Sequence, residues 1–163
     1  MEQISKSDSF THLIAGASRG IGRALLNSCV EKGEQVIALS RSQPAPLPPG
    51  CKWITGDARQ PESFSDELPE IIHGLTFCPG KVILGPLKRL SAEQMLEAYE
   101  TSVIDAFRLI QSLLPKLTGS SIVLISSVAA GTGLPNHCAI SAAKAGLEGF
   151  ALALAADLAP KTR

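Results

Sequence analysis

Residues 12–22 read His-Leu-Ile-Ala-Gly-Ala-Ser-Arg-Gly-Ile-Gly, an apolar run that gives way to three spaced glycines. The apolar run is typical of the end of a buried strand, and the residues after Gly22 are typical of a helix. Gly16, Gly20 and Gly22 remove side chains that would hold a diphosphate away from the backbone. The helix N-terminus offers free N–H groups and a positive dipole end to an anion. The stretch therefore predicts a nucleotide-binding turn, with an ordinary strand-to-helix connection as the alternative.

Length and composition define the class of protein further. The chain of 163 residues is interpreted as a single domain, residues 1–163, long enough to bury a core. Lys plus Arg equals Asp plus Glu at 15 each, so no basic surface for nucleic acid or for an anionic membrane is predicted. The four cysteines are widely spaced, without zinc-ligand spacing, which predicts buried thiols in a reducing compartment and no metal site.

The N-terminal residues are polar and lack the apolar core of a signal peptide. No apolar run approaches the length needed to span a bilayer. We therefore expect a cytoplasmic protein without a membrane partner.

Strand and helix patterns alternate along the chain, which predicts parallel βαβ units. The sequence predicts further strands at residues 35–39, 52–55, 75–78 and 120–126, and helices at residues 61–68, 91–114 and 140–158. Four prolines within residues 42–50 exclude a crossover helix there and predict an extended loop. Ser91 and Gln94 have the spacing of a capping box, which places the start of the longest helix.

The chain resembles the short-chain dehydrogenase/reductase family from Thr11 to Arg163. The resemblance is carried by the following stretches: Gly-Ala-Ser-Arg-Gly-Ile-Gly at 16–22, Gly-Asp at 56–57, Cys-Pro-Gly at 78–80, Ile-Ser-Ser at 125–127 and Ser-Ala-Ala-Lys-Ala at 141–145. It implies a Rossmann-type, doubly wound α/β sheet of strand order 3-2-1-4-5, with the nucleotide at the carboxyl ends of the strands. Family members continue into further strands, which are absent from this chain. We therefore expect a portion of a longer protein, with a C-terminally truncated fold.

The resemblance also implies a nicotinamide cofactor. The expected cofactor-binding residues are Gly16, Ser18, Arg19, Gly20, Ile21, Gly22, Ser40, Arg41, Asp57, Ala58, Pro79, Gly80 and Lys144. Ser40 and Arg41 follow the second strand, where folds that select NAD place a carboxylate. A guanidinium binds a 2′-phosphate that a carboxylate would repel. The sequence therefore favours NADP over NAD, unless Arg19 and Arg41 are only solvated surface cations.

The catalytic positions match the family only in part. Ser127 and Lys144 occupy the positions of the family's catalytic serine and lysine. The position of the tyrosine that protonates the substrate carbonyl holds Ile140, and that of an asparagine supporting a water relay holds Ser102. His137 is the candidate replacement acid, with a packing or capping histidine as the alternative. Cys138 is a weaker donor.

The chain's one tyrosine, Tyr99, is interpreted as a core residue.

Two hypotheses follow from the catalytic positions. The first is an NADP-dependent oxidoreductase acting on a small carbonyl or secondary alcohol. The second is a catalytically impaired nucleotide-binding protein that serves as an NADP sensor or scaffold. The helices at 91–114 and 140–158 have wide apolar faces, and the resemblance implies a homodimer or homotetramer built on them.

Overall fold

The computed structural model describes residues 10–43 and 46–162 of the chain. These residues form a five-stranded sheet of order β3-β2-β1-β4-β5 in which every neighbouring pair is parallel. The strands are β1 (Thr11–Ala15), β2 (Gln35–Ser40), β3 (Cys51–Thr55), β4 (Gly74–Phe77) and β5 (Ser121–Leu124). The predicted α/β class and the order 3-2-1-4-5 are confirmed.

Helices cover both faces of this sheet. They are α1 (Gly20–Glu31), α2 (Ala92–Tyr99), α3 (Asp105–Leu113) and α4 (Cys138–Leu158). A π-helical turn, Glu100–Ile104, joins α2 to α3, so the helix predicted at 91–114 is interrupted by one wide turn. The predicted capping box is present: the Gln94 N–H donates to Ser91 Oγ at 3.3 Å, and the Ser91 N–H donates to Gln94 Oε1 at 3.0 Å.

The short helix predicted at residues 61–68 is wrong in detail. The structure has two 3-10 turns there, Pro61–Ser63 and Ser65–Glu67. Phe64 lies between them with φ −141°, and its ring is only 2% exposed. The helical backbone is thus broken at a buried residue. In the proline-rich loop, Pro44 and Ala45 lie outside the described residues, as do residues 1–9 and Arg163.

The core has two layers, one on each face of the sheet. On β1, Leu13 joins the cluster that includes Leu75 and Leu109, whereas Ile14 joins the cluster that includes Leu26. Successive side chains of a strand point to opposite faces, so a central strand covered on both sides must be apolar throughout. This is why the sequence before the glycine turn is a continuous apolar run.

Helix α4 contradicts the expectation that no apolar run approaches the length needed to span a bilayer. By length and composition it is apolar enough to cross a membrane, although the sequence analysis predicted no such run. The core helix of a globular domain passes the same test, and α4 packs Leu147 into the main core and Ala143 against Ala98 of α2. The finding is therefore weak evidence for a membrane span.

Candidate cofactor and catalytic site

The glycine turn after β1 is wedged between the ends of two neighbouring strands. Gly16 has φ +80°, and a Cβ there would lie 3.1 Å from the backbone nitrogen of Pro79. Its N–H donates to the carbonyl of Leu39 at 2.8 Å. A side chain at Gly16 is therefore excluded both by backbone conformation and by the loop that follows β4.

The same turn leads directly into the N-terminus of α1 at the carboxyl ends of the strands, and the part of this edge from the glycine turn to Lys144 is called the groove below. A Cβ on Gly22 would lie 2.5 Å from the carbonyl oxygen of Gly16. The first turn of α1 can therefore lie this close to the loop only because residue 22 is glycine. Arg19 is the N-cap, but its side chain makes no capping hydrogen bond, and the first turn carries no acidic residue. The free N–H groups and the helix dipole thus lack an anionic partner from α1 itself, which fits a diphosphate. Ile21 is exposed beside them, and Ser18 is half-buried.

The end of β2 presents a cation but not a free serine hydroxyl. Ser40 is buried, and its hydroxyl donates to the carbonyl of Ser42 at 2.7 Å within its own turn. Arg41 is exposed, as is Arg19 of the glycine turn. Arg41 and Ser42, the two residues directly after β2, are not acidic, so the end of β2 carries no negative charge that would repel a 2′-phosphate.

The loop after β3 contains the expected residues Asp57 and Ala58, and it is held in place by Arg59 and Asp105, which the sequence did not indicate. Asp57 accepts a hydrogen bond from the Arg59 N–H at 3.1 Å, while the Ala58 side chain packs into the main core. The Arg59 guanidinium donates to the buried carboxylate of Asp105 on α3 at 3.3 Å. Burial raises the pKa of Asp105, although the Arg59 charge opposes this shift. Arg59 and Asp105 lie 46 residues apart, so no local motif reports their pairing.

Lys144 is the most distinctive charged group of the site. It is only 6% exposed, and its Nζ donates to the carbonyl of Ile125 at 2.6 Å. A Cβ on Gly80 would lie 3.4 Å from this ammonium, so the loop after β4 reaches from the glycine turn to Lys144. Burial lowers the pKa of Lys144, and the neighbouring Cys78 partly opposes this shift. Burial likewise raises the pKa of the Cys78 thiol.

Ser127 lies just beyond β5, two residues after Ile125, whose carbonyl accepts the hydrogen bond from Lys144. It is the N-cap of a 3-10 turn, Val128–Ala130, and its hydroxyl accepts from the Ala129 N–H at 3.2 Å. The preceding serine has a different partner, because Ser126 donates to the Glu148 carboxylate on α4 at 2.5 Å. Of the two adjacent serines, Ser126 is bound to α4, and the Ser127 hydroxyl proton has a substrate carbonyl as its candidate acceptor.

The tyrosine position holds a buried apolar side chain. Ile140 is 5% exposed and precedes Lys144 by one turn of α4. The helix begins at Cys138, two residues before the predicted start, with His137 as its N-cap. The His137 ring places Nδ1 2.6 Å from the carbonyl of Pro135. Because a carbonyl only accepts, Nδ1 carries the proton and Nε2 is the nitrogen that can exchange one.

Tyr99 is 42% exposed, so the expectation that it lies in the core is wrong. Its ring lies on Gly146, where a Cβ would come within 2.8 Å of Tyr99 Cε2. Gly146 follows Lys144 by two residues, about 200° around the helix. The chain's one tyrosine therefore contacts the face of α4 opposite to Lys144.

Ser102 occupies the π-helical turn between α2 and α3. It is fully buried, and its hydroxyl has no hydrogen-bond partner among the described residues. π-Helical turns recur at functional sites, and a buried hydroxyl without a partner costs about 1–3 kcal/mol. Both features distinguish this turn from the regular helix on either side.

A parallel doubly wound sheet has a glycine turn at its switch point, a serine just after β5 and a buried lysine on α4, and this arrangement defines a Rossmann-type domain. The family model described as short chain dehydrogenase matches residues 11–162, and the chain belongs to that family.

Similar proteins agree with this assignment. The chain is 28% identical to carbonyl reductase family member 4 of Danio rerio, covering 91% of this chain and 69% of that protein. It is 29% identical to the 3-oxoacyl-(acyl-carrier-protein) reductase FabG of Salmonella typhimurium, covering 91% of this chain and 67% of that protein. A short-chain dehydrogenase from Streptomyces avermitilis superposes with a TM-score of 0.84 at 27% identity, over 94% of this chain and 63% of that one. The chain thus spans about two thirds of the length of these relatives.

Proposed function

We propose that this protein is an NADP(H)-dependent oxidoreductase that interconverts a small carbonyl compound and a secondary alcohol. The observation that carries the proposal is the buried Lys144 ammonium, held by the Ile125 carbonyl and set beside Gly80. A buried ammonium is costly unless it is paired and hydrogen-bonded, and the Ile125 carbonyl that accepts from it is neutral. Its position beside Gly80 connects it to the loop that lies against the glycine turn. The similarity to carbonyl reductase family member 4 and to the reductase FabG supports the same class of reaction.

NADPH would supply the hydride when it is bound, and the chain would supply the groups that bind and orient the reactants. The glycine turn and the α1 N-terminus would bind the diphosphate. Lys144 would hold the nicotinamide ribose hydroxyls. The Ser127 hydroxyl would donate its proton to the carbonyl oxygen of the substrate and orient it, while one lone pair of the same hydroxyl accepts from the Ala129 N–H.

The choice of NADP over NAD rests on charge. Arg19 and Arg41 are exposed cations at the end of the groove where the adenine ribose would lie, and no acid follows β2. Charge-assisted hydrogen bonds from a guanidinium to a phosphate are stronger than neutral ones. We assign these two side chains to the 2′-phosphate.

The proton that completes the alcohol needs a donor other than tyrosine. Ile140 has no exchangeable proton, and Tyr99 lies on the other face of α4. We assign the role to His137, because its Nδ1 is fixed by the Pro135 carbonyl and its Nε2 can carry the transferred proton.

The assembly that we propose is a homodimer or homotetramer in the cytoplasm. Leu96 of α2, Phe107 of α3 and Leu152 of α4 are 69%, 42% and 76% exposed. Apolar side chains on outward helix faces are typical of subunit contacts. Light scattering on the full-length protein tests this, and a monomer at working concentration would overturn it.

The activity itself is tested by offering the full-length protein a panel of ketones and aldehydes with NADPH or NADH. We expect turnover with NADPH, and we expect His137→Ala to lower kcat by about two to four orders of magnitude with nearly unchanged NADPH affinity. His73→Ala, a histidine at the opposite edge of the sheet, is the matched control. Tight NADPH binding without turnover of any carbonyl would instead indicate a sensor or scaffold. Absence of both would refute the proposed function.

A further inference from the structure

The amino edge of the sheet, opposite to the glycine turn, brings together a histidine, a cysteine and a glutamate. His12 is the second residue of β1, Cys29 lies in the last turn of α1, and Glu34 directly precedes β2. The chain reverses at Gly33, where φ is +76°, and the Glu34 N–H donates to the Cys29 carbonyl at 3.0 Å. The turn that ends α1 therefore returns Glu34 to Cys29, beside the start of β1.

The three side chains present their ligating atoms to one point. Cys29 Sγ lies 3.6 Å from His12 Nδ1, and Glu34 Oε2 lies 3.9 Å from the same nitrogen. All three ligating atoms fall within 4.8 Å of one another. Tetrahedral bonds of about 2.0–2.3 Å to one zinc ion would set such atoms about 3.3–3.6 Å apart. Displacements of the ligating atoms by a few tenths of an ångström to about one ångström would therefore bring all three within bonding distance of one ion.

A fourth residue sets the orientation of the histidine. His12 Nε2 lies 2.8 Å from the hydroxyl oxygen of Thr76 on β4, and Thr76 is 2% exposed. When Nε2 donates to this hydroxyl, Nδ1 keeps its lone pair, and that lone pair is on the side of Cys29 and Glu34. Metal-ligating histidines are held in this way, with the other ring nitrogen hydrogen-bonded to an oxygen.

We propose that His12, Cys29 and Glu34 form a binding site for a divalent transition-metal ion of the zinc class. A thiolate, a neutral imidazole and a carboxylate sum to the charge that one divalent cation neutralises, and sulfur with nitrogen selects zinc over magnesium or calcium. Glu34 is 31% exposed at its side chain, so solvent can reach the ion and supply a fourth ligand. The site lies at the edge opposite the cofactor groove and does not depend on the proposed oxidoreductase function.

The metal must displace a proton from the cysteine. Burial and the Glu34 carboxylate raise the pKa of Cys29 to about 11, so the metal-free chain keeps the thiol protonated. The competing interpretation is a purely structural triad in which this thiol is hydrogen-bonded to its neighbours. That triad would hold the α1–β2 turn to β1 without any ion, and the experiment must separate the two.

Cobalt(II) is the direct probe, titrated into full-length protein purified without an oligohistidine tag. We expect one ion per chain, a thiolate-to-cobalt charge-transfer band, and displacement of cobalt by zinc. Cys29→Ser removes the band, whereas Cys138→Ser, which changes an exposed cysteine elsewhere, leaves it intact. Thr76→Val keeps the side-chain shape and weakens zinc binding by about 10–100-fold.

Thermal unfolding gives a second measurement. Zinc at about 100 times its dissociation constant should raise Tm by roughly 5–10 °C in the wild type. Glu34→Gln, at a partly exposed position that should not impair folding, should reduce zinc affinity at least tenfold and shrink this shift. A band that is absent, or that persists in Cys29→Ser, overturns the proposal, as does a Thr76→Val protein that binds zinc as the wild type does. Should Cys29→Ser not fold, the Glu34→Gln and Thr76→Val affinities decide alone.

Discussion

The half proposed to bind nucleotide and the half proposed for catalysis are built from different kinds of determinant. Around β1 and α1, in the nucleotide-binding half, the site consists of backbone, because a Cβ at Gly16 or Gly22 would strike a neighbouring main chain. Around β5 and α4, in the catalytic half, it depends on single side chains, and the position where the family resemblance implies an acid holds Ile140, which packs at 5% exposure. A backbone site is specified by the fold, whereas a proton donor can be lost without disturbing the packing. We therefore expect binding and turnover to be separable in this molecule.

The largest effect is expected where the backbone itself is blocked. Gly16→Val places a branched side chain at φ +80° against Pro79 and should reduce binding of both NADPH and NADH below detection. Fluorescence titration measures the binding, and circular dichroism verifies the fold. Gly149→Val is the control, because nothing lies within 4 Å of a Cβ at that position. Normal nucleotide affinity in Gly16→Val would contradict the proposal that the backbone at Gly16 forms the nucleotide site.

The second half is tested by restoring a proton donor. In the His137→Ala background, Ile140→Tyr places a phenol one helical turn before Lys144 and should raise kcat for carbonyl reduction by about 10²–10⁴-fold. The measurement is kcat at saturating NADPH in the full-length protein. Ile140→Phe has nearly the same shape but no hydroxyl, and it should give no increase. An equal gain from both variants would mean that pocket shape, and not the missing acid, limits turnover.

The same division explains what the sequence could predict. The glycine turn, Ser127 and Lys144 were identified because each belongs to a short motif beside a recognisable strand or helix. The pairing of Arg59 with Asp105 joins residues that are 46 positions apart, and nothing local reports it. The break at Phe64 was also missed, because helical periodicity does not reveal which ring the core will bury.

Metal-ligand spacing could not indicate the proposed zinc site, for a related reason. His12, Cys29 and Glu34 come from three different elements, and only β1–β2 pairing and the turn at Gly33 bring them together. Cysteine spacing finds sites formed by one loop or by paired knuckles. It does not find a set assembled by the register of a parallel sheet.

A smaller effect is expected at the rim of the nucleotide-binding half, where side chains do matter. Arg41→Asp removes a cation and adds an anion, and it should weaken NADPH binding relative to NADH binding by tenfold or more, about 1.5–3 kcal/mol. The ratio of the two dissociation constants is the measurement. Arg89→Asp makes the same charge change on the 3-10 turn Leu87–Arg89 and should leave that ratio unchanged. An equal loss for both cofactors would show that Arg41 does not contact the 2′-phosphate.

The smallest effect concerns the charge that the catalytic half keeps buried. Burial lowers the pKa of Lys144 below its ordinary value of 10.5, so between the folded and unfolded pKa values the unfolded chain binds more protons. The stability of the wild type should therefore rise with pH across that window relative to Lys144→Met, which cannot titrate there. The slope of this difference cannot exceed about 1.4 kcal/mol per pH unit, and below the folded pKa the difference is constant. Denaturant unfolding from neutral pH to pH 10.5 measures it, with the exposed Lys88→Met as the control. Parallel profiles for wild type and Lys144→Met would show that burial does not oppose the ammonium, and the buried charge would then no longer distinguish the catalytic half.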